Sequence, residues 1–274
     1  MKAKIAIAAA VAAGSAALGG AFVVGQTKDA LAQSTQDDGR IEEIVRQYIL
    51  DHPEVLVESL NAYMRDQEIS RIQQTRDAAR TLRPTLTSLD GGFAVGASPE
   101  DARVTIVELF DYHCGYCKRV AGELLETVRG RNDVRLIYKE FPILKEESEI
   151  AARAALAARN HGDYVAFHQA MMKSGGTLTD KRIDEIAKSA GVDVAAMRRG
   201  MSDSKIAQAI AETYELAVGL GVTGTPSFIV YAGDEAEIIV GANLPRVKQI
   251  IETGVIGDAA GQFAQQGPAS TAGQ

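Results

Sequence analysis

The chain has 274 residues, 46% of them hydrophobic, enough for one sizeable core with further segments attached. Its net charge is −7 without any basic cluster, and only 5% of its residues are aromatic, none of them tryptophan. That balance argues against nucleic acid and anionic membrane surfaces as partners, and it offers no platform on which bases could stack.

In chain order, Lys2 and Lys4 precede an Ala/Val/Gly-rich run from Ile5 to Val24, and Ala30-Leu31-Ala32 offers a small-residue cleavage site before Gln33. Residues 1–33 are expected to be a signal peptide or, since about 20 apolar residues span a bilayer, an uncleaved N-terminal anchor. Either way the body of the chain is exported. After a polar linker, Ile41, Ile44, Val45, Tyr48 and Ile49 recur at helical spacing until His52-Pro53, because the residue before proline avoids the α region. Val55, Leu56, Leu60, Tyr63 and Met64 mark a second helix, and a weaker stripe of Ile69, Ile72, Ala79 and Leu82 follows it. Residues 40–83 are too few to bury this surface alone. The segment is expected to dock on the main domain or to act as an oligomerisation arm, giving a homo-oligomer.

Residues 91–255 read as the main domain. A turn-rich stretch carries a short edge strand at Phe93–Val95, and the nearly continuous apolar run Val104–Phe110 suits a parallel strand covered on both faces. A helix over Cys117–Arg129 and a strand over Val134–Phe141 complete a β-α-β unit. Residues 142–221 form a helical insertion, with helices expected at 147–160, 163–172, 180–189, 194–201 and 204–218 and with Asp180, Asp193 and Asp203 as N-caps. His161 and His168 fall on these helices. Ser227–Tyr231 and Ala236–Val240 pair through a Gly233-Asp234 turn, Leu244–Thr253 is a closing helix, and the Gly/Ala/Gln/Ser-rich residues 256–274 read as a disordered tail. The order β-α-β, helices, β-β-α predicts an α/β thioredoxin fold with a helical insertion, preceded by an N-terminal helical arm.

The chain has only two cysteines, Cys114 and Cys117. A strand that ends in C-x-x-C and turns into a helix sets the first sulfur among unpaired N–H groups at the positive end of the helix dipole, which favours a thiolate. A thiolate beside a second thiol is equipped for disulfide exchange. A structural disulfide closing so short a loop would constrain little of the unfolded chain. With four histidines and no further cysteine, no spacing supports a closed zinc site. No metal and no cofactor beyond a Cys114–Cys117 disulfide is therefore expected. Glu108, inside the apolar strand, reads as a buried carboxyl with a raised pKa.

Phe110-Asp111-Tyr112-His113-Cys114-Gly115-Tyr116-Cys117 after one strand, with Gly221-Val222-Thr223-Gly224-Thr225-Pro226-Ser227 before another, resembles the DsbA-like branch of the thioredoxin superfamily. Its members are periplasmic thiol–disulfide oxidoreductases. The helix–His-Pro–helix segment Ile41–Met64 resembles the N-terminal arm of ScsC-like members, which use it to oligomerise. The resemblance implies that Cys114 is the nucleophile, Cys117 resolves the mixed disulfide, and Glu108 moves the proton of Cys117. It implies that Thr225-Pro226 is a cis-proline loop whose backbone pairs with an extended substrate, with Tyr116 and His113 as further substrate contacts. The partners implied are unfolded or misfolded exported proteins and a membrane or periplasmic redox partner. The strongest oxidases of the family carry a histidine between their cysteines. Here the dipeptide is Gly115-Tyr116, more like that of the isomerases, so the direction of exchange stays open. The alternative is a copper-tolerance protein that uses the same thiolates as soft Cu(I) ligands.

Overall fold

The structure, a computed structural model, describes residues 39–266; the signal peptide or anchor expected at 1–33 lies outside the described residues. Two units are distinguished, one ending at Met64 and one beginning at Arg65. In the first, helix α1 covers residues 39–51 and helix α2, Pro53–Thr81, which continues past Arg65, starts with proline at a position where a missing N–H costs nothing. The interruption at His52 falls where the sequence places it. Ile41, Ile44, Tyr48, Leu56, Leu60 and Tyr63 are each more than half exposed. The apolar face is therefore open.

The second unit is built on a five-stranded sheet ordered β1-β3-β2-β4-β5. The strands are β1 (Gly92–Gly96), β2 (Val104–Phe110), β3 (Val134–Glu140), β4 (Ser227–Ala232) and β5 (Glu235–Val240). β2 and β3 are parallel, and the other pairs are antiparallel. A parallel pair needs a crossover, which helix α4 (Gly115–Val128) supplies. β2 is buried at every position, as its nearly continuous apolar run leads one to expect. One face of the sheet, through Ile106, Phe110, Leu136, Phe228 and Val230, packs with Val120, Leu124, Phe167 and Met171. The other, through Val107, Leu109, Ile137 and Ile229, packs with Ala79, Leu86 and Leu216.

A short helix α3 (Arg83–Thr87) precedes the sheet. The insertion between β3 and β4 holds α5 (Glu146–Ala158), α6 (Tyr164–Lys173), α7 (Asp180–Ser189), α8 (Val194–Gly200) and α9 (Ser204–Gly219). Asp193 and Asp203 cap their helices as expected, each accepting a backbone N–H. Asp180 does not. The α7 cap is Thr179, whose hydroxyl accepts the Arg182 N–H at 3.3 Å, and Asp180 sits in the first turn, where its charge complements the dipole. His161 lies in the α5–α6 connection rather than on a helix, whereas His168 is on α6 and buried.

The tail also corrects the expectation of disorder from residue 256. After α10 (Leu244–Thr253), helix α11 covers Ala259–Gln266, and Ile256, Ala259 and Gln262 are buried. The cause is a charge. Buried Arg76 donates to Gln262 Oε1 at 2.8 Å and to the Gly257 carbonyl at 2.6 Å, and it lies 3.6 Å from the buried carboxylate of Glu237. Arg246 completes the cluster with hydrogen bonds of 2.9 and 2.6 Å to the two Glu237 oxygens. A buried guanidinium stripped of partners costs far more than ordering a few residues. The tail is held by the buried charge it pairs together with the burial of Ile256 and Ala259.

Candidate active site

β2 delivers the chain into a tight turn, and Cys114 becomes the N-cap of α4 at φ −75° and ψ 113°. Its sulfur accepts the Cys117 N–H at 3.3 Å, filling one of the donor vacancies of a helix start. Both cysteines are free thiols and both are buried. The Cys114 S–H donates to the Thr225 carbonyl at 3.1 Å. Pairing of Leu109 with Ser227 across β2 and β4 carries the Thr225–Pro226 loop to this end of the sheet, and that peptide bond is cis. The Thr225 hydroxyl is buried without a partner, a donor available to a sulfur that has lost its proton.

These contacts separate the two thiols. Hydrogen bonding from the Cys117 thiol, helped by the Thr225 hydroxyl and the Cys117 and Tyr116 N–H groups, brings Cys114 down to about 5 against the opposing pull of burial. Burial, the neighbouring Cys114 sulfur and the Glu108 carboxyl push Cys117 far above the ordinary thiol range. Glu108 has no exposed surface, and neither of its oxygens has a hydrogen-bond partner. Its register neighbours are Tyr138 on β3 and Phe228 on β4, and alternation puts it on the face that holds Cys117. Burial, with the charge of Cys114 second, pushes the Glu108 carboxyl up to about 8, so it keeps its proton at neutral pH.

The other expected residues divide. Tyr116 is 58% exposed, with the Arg119 guanidinium 4.0 Å over its ring. His113, expected to face substrate, has both ring nitrogens engaged within the protein. Its Nε2 accepts the Leu178 N–H at 3.0 Å, so the neutral ring carries its proton on Nδ1, which faces Ser148 Oγ at 3.1 Å.

The sequence reading missed Asp111. It is fully buried; Oδ1 accepts the His113 N–H at 2.7 Å, and Oδ2 accepts those of Ile143 and Leu144 at 3.0 Å each. An aspartate between a strand and a C-x-x-C reads as an ordinary turn residue. A second buried polar group lies under the insertion. The Tyr112 hydroxyl sits 3.3 Å from Glu140 Oε1 and 3.0 Å from His168 Nδ1, and Tyr164 reaches the same oxygen at 3.4 Å. Burial pushes Glu140 well above the ordinary carboxyl range and brings His168 down to about 3, so the imidazole is neutral around pH 7. Among the described residues, no group of three or more His, Cys, Asp or Glu side chains is arranged to hold a metal ion.

One sulfur that ionises below neutrality, beside another held protonated, suits the exchange of disulfides. Residues 105–251 match the DSBA-like thioredoxin domain, and the chain belongs to that family. Residues 39–68 match the copper resistance protein ScsC N-terminal domain. A thioredoxin-like oxidoreductase from Silicibacter pomeroyi superposes with a TM-score of 0.54 at 34% identity, over 68% of this chain and 98% of that one. Proteus mirabilis ScsC in a transitional conformation superposes with a TM-score of 0.56 at 26% identity, over 80% of this chain and 97% of the other. A Na(+)/H(+) antiporter NhaA 1 of Salinispora arenicola is 28% identical over 134 residues, 48% of this chain and 21% of the antiporter. The chain thus spans about a fifth of the length of that curated relative.

Proposed function

We propose that the protein forms or reshuffles disulfides in exported polypeptides in the periplasm, with Cys114 as nucleophile, Cys117 as resolving thiol and Glu108 as proton carrier. The observation that carries this is the Cys114 sulfur at the α4 N-terminus, between the Cys117 N–H and the Thr225 carbonyl. In the reducing direction the Cys114 thiolate attacks a substrate disulfide, which forms a mixed disulfide and expels a substrate thiolate. Glu108 first releases its own proton to solvent; Cys117 then gives its proton to the Glu108 carboxylate and attacks the Cys114 sulfur. That step closes the Cys114–Cys117 disulfide and releases the second substrate thiolate. In the oxidising direction a substrate thiolate attacks Cys114 of the disulfide, and protonated Glu108 gives its proton to Cys117 as it leaves. Intramolecular attack keeps the mixed disulfide short-lived. The Thr225 backbone, beside a proline that donates no hydrogen bond, would pair with an extended substrate segment, and exposed Tyr116 would border it.

Export rests on the N-terminal 1–33 segment, and self-association of the arm on its open apolar stripe. The test of the exchange chemistry is trapping. Cys114→Ser is expected to abolish turnover, whereas Cys117→Ser accumulates mixed disulfides with client proteins that reductant releases. Mass spectrometry that finds no adduct in Cys117→Ser would overturn the mechanism. The ScsC match over residues 39–68 favours a second reading, Cu(I) capture by the two thiolates, and one Cu(I) per chain retained against excess glutathione would support it.

A further inference from the structure

We propose that Asp111 holds Leu144 beside the nucleophile as an apolar contact for the polypeptide captured at Cys114, so that Leu144 helps select apolar segments flanking a substrate cysteine. This rests on the exchange chemistry proposed above. The Asp111 carbonyl accepts the Cys114 N–H at 3.0 Å, and its carboxylate accepts the Leu144 N–H at the same distance. A single buried residue therefore ties the backbone of the nucleophile to that of Leu144. With the N–H groups of His113 and Ile143 also bound, three donors converge on the carboxylate, and its contribution is placement rather than proton transfer.

Leu144 itself is 50% exposed. A lone exposed leucine is ordinary. This one differs because its backbone is pinned to the nucleophile's turn through a fully buried acid, and because Tyr116, two residues past Cys114, is another large side chain left open. His113 pins Ser148 of α5 and Leu178 to the same turn, so the insertion side of the rim is fixed to the chain that carries the sulfur. Once the Cys114 sulfur is bonded to substrate it has no S–H to donate, and the Thr225 carbonyl becomes free to accept from the substrate backbone. An extended polypeptide gripped there sets its side chains against the rim. Leu144 rewards apolar ones.

The experiment uses the full chain and two oxidants of different size. Disulfide exchange is followed with oxidised dithiothreitol and with two disulfide-bonded peptides, one with leucine and valine beside its cysteines and one with glycine and serine. Leu144→Ser is expected to raise KM for the apolar peptide about tenfold, the size of a lost apolar contact. It should leave kcat, the glycine–serine peptide, the dithiothreitol rate and Cys114 ionisation unchanged. Asp111→Asn, which puts an NH2 group or a single neutral oxygen against three N–H donors, should reproduce that KM split. A preference between the two peptides that is the same in Leu144→Ser as in the parent, or a loss shared by dithiothreitol, would overturn the proposal. Because Leu144 is exposed, its variant decides the question even if Asp111→Asn unfolds. Failure of the parent protein to exchange with dithiothreitol would instead strike at the exchange chemistry itself.

Discussion

Burying Glu108 without a hydrogen-bond partner, on the sheet face that holds Cys117, costs the fold stability. Its carboxyl is pushed up to about 8 in the fold, against an ordinary value of 4.5. The unfolded chain therefore releases this proton first, and stability declines as pH rises from about 4.5 to 8. Glu108→Gln removes the penalty. By linkage it should stabilise the protein by about 3 kcal/mol at pH 7, with no gain below pH 4.5, as read from urea denaturation at both values. The same variant should slow resolution of the mixed disulfide, since nothing remains to take the Cys117 proton. A variant that gained stability equally at pH 4 and 7 would show that ionisation is not the cause. His168 works with the opposite sign. Brought down to about 3 from 6.5, it withdraws stability as pH falls below 6.5.

Among the elements, the apolar stripe of α1 and the first half of α2 has the composition of a core and the exposure of a surface. An exposed apolar stripe that includes Leu60 and Tyr63 marks a surface for something to cover. Sedimentation of the protein with and without residues 40–64 should give an oligomer for the first and a monomer for the second; a monomer in both would remove self-association. How legible the elements were depends on what holds each of them. β2 announces itself because all seven of its positions are buried, so its sequence is nearly all apolar. α7 and α10 have the bounds that their periodicity and punctuation give. α11 was invisible, because the Gln262–Arg76 pair that anchors it joins residues 186 apart, and a glutamine in a polar tail carries no local sign of burial. Cys114, Cys117 and Pro226 were legible as short motifs at strand ends. Asp111 was not, since its worth comes from Ile143 and Leu144, whose N–H groups only the folded chain brings to it.

For the molecule as a whole, the ionised Cys114 links stability to redox state. Its folded value of about 5 lies below the ordinary 9.0, so the dithiol form gains stability as pH rises from about 5 to 9. The disulfide form has no such proton to lose. The melting temperature of the reduced protein relative to the oxidised one should therefore climb between pH 5 and pH 8. Scanning calorimetry with and without reductant measures the difference, and a gap independent of pH would contradict a depressed Cys114.

The burial of Cys117 behind its partner has a temporal meaning. Under the proposed exchange, a client joined to Cys114 would have only as long as the hidden thiol takes to surrender its proton and strike. Within that interval the client's own cysteines can attack the junction and leave with a new pairing; beyond it they leave reduced. Slowing the internal clock should shift products from reduction toward rearrangement without altering a single contact with the client.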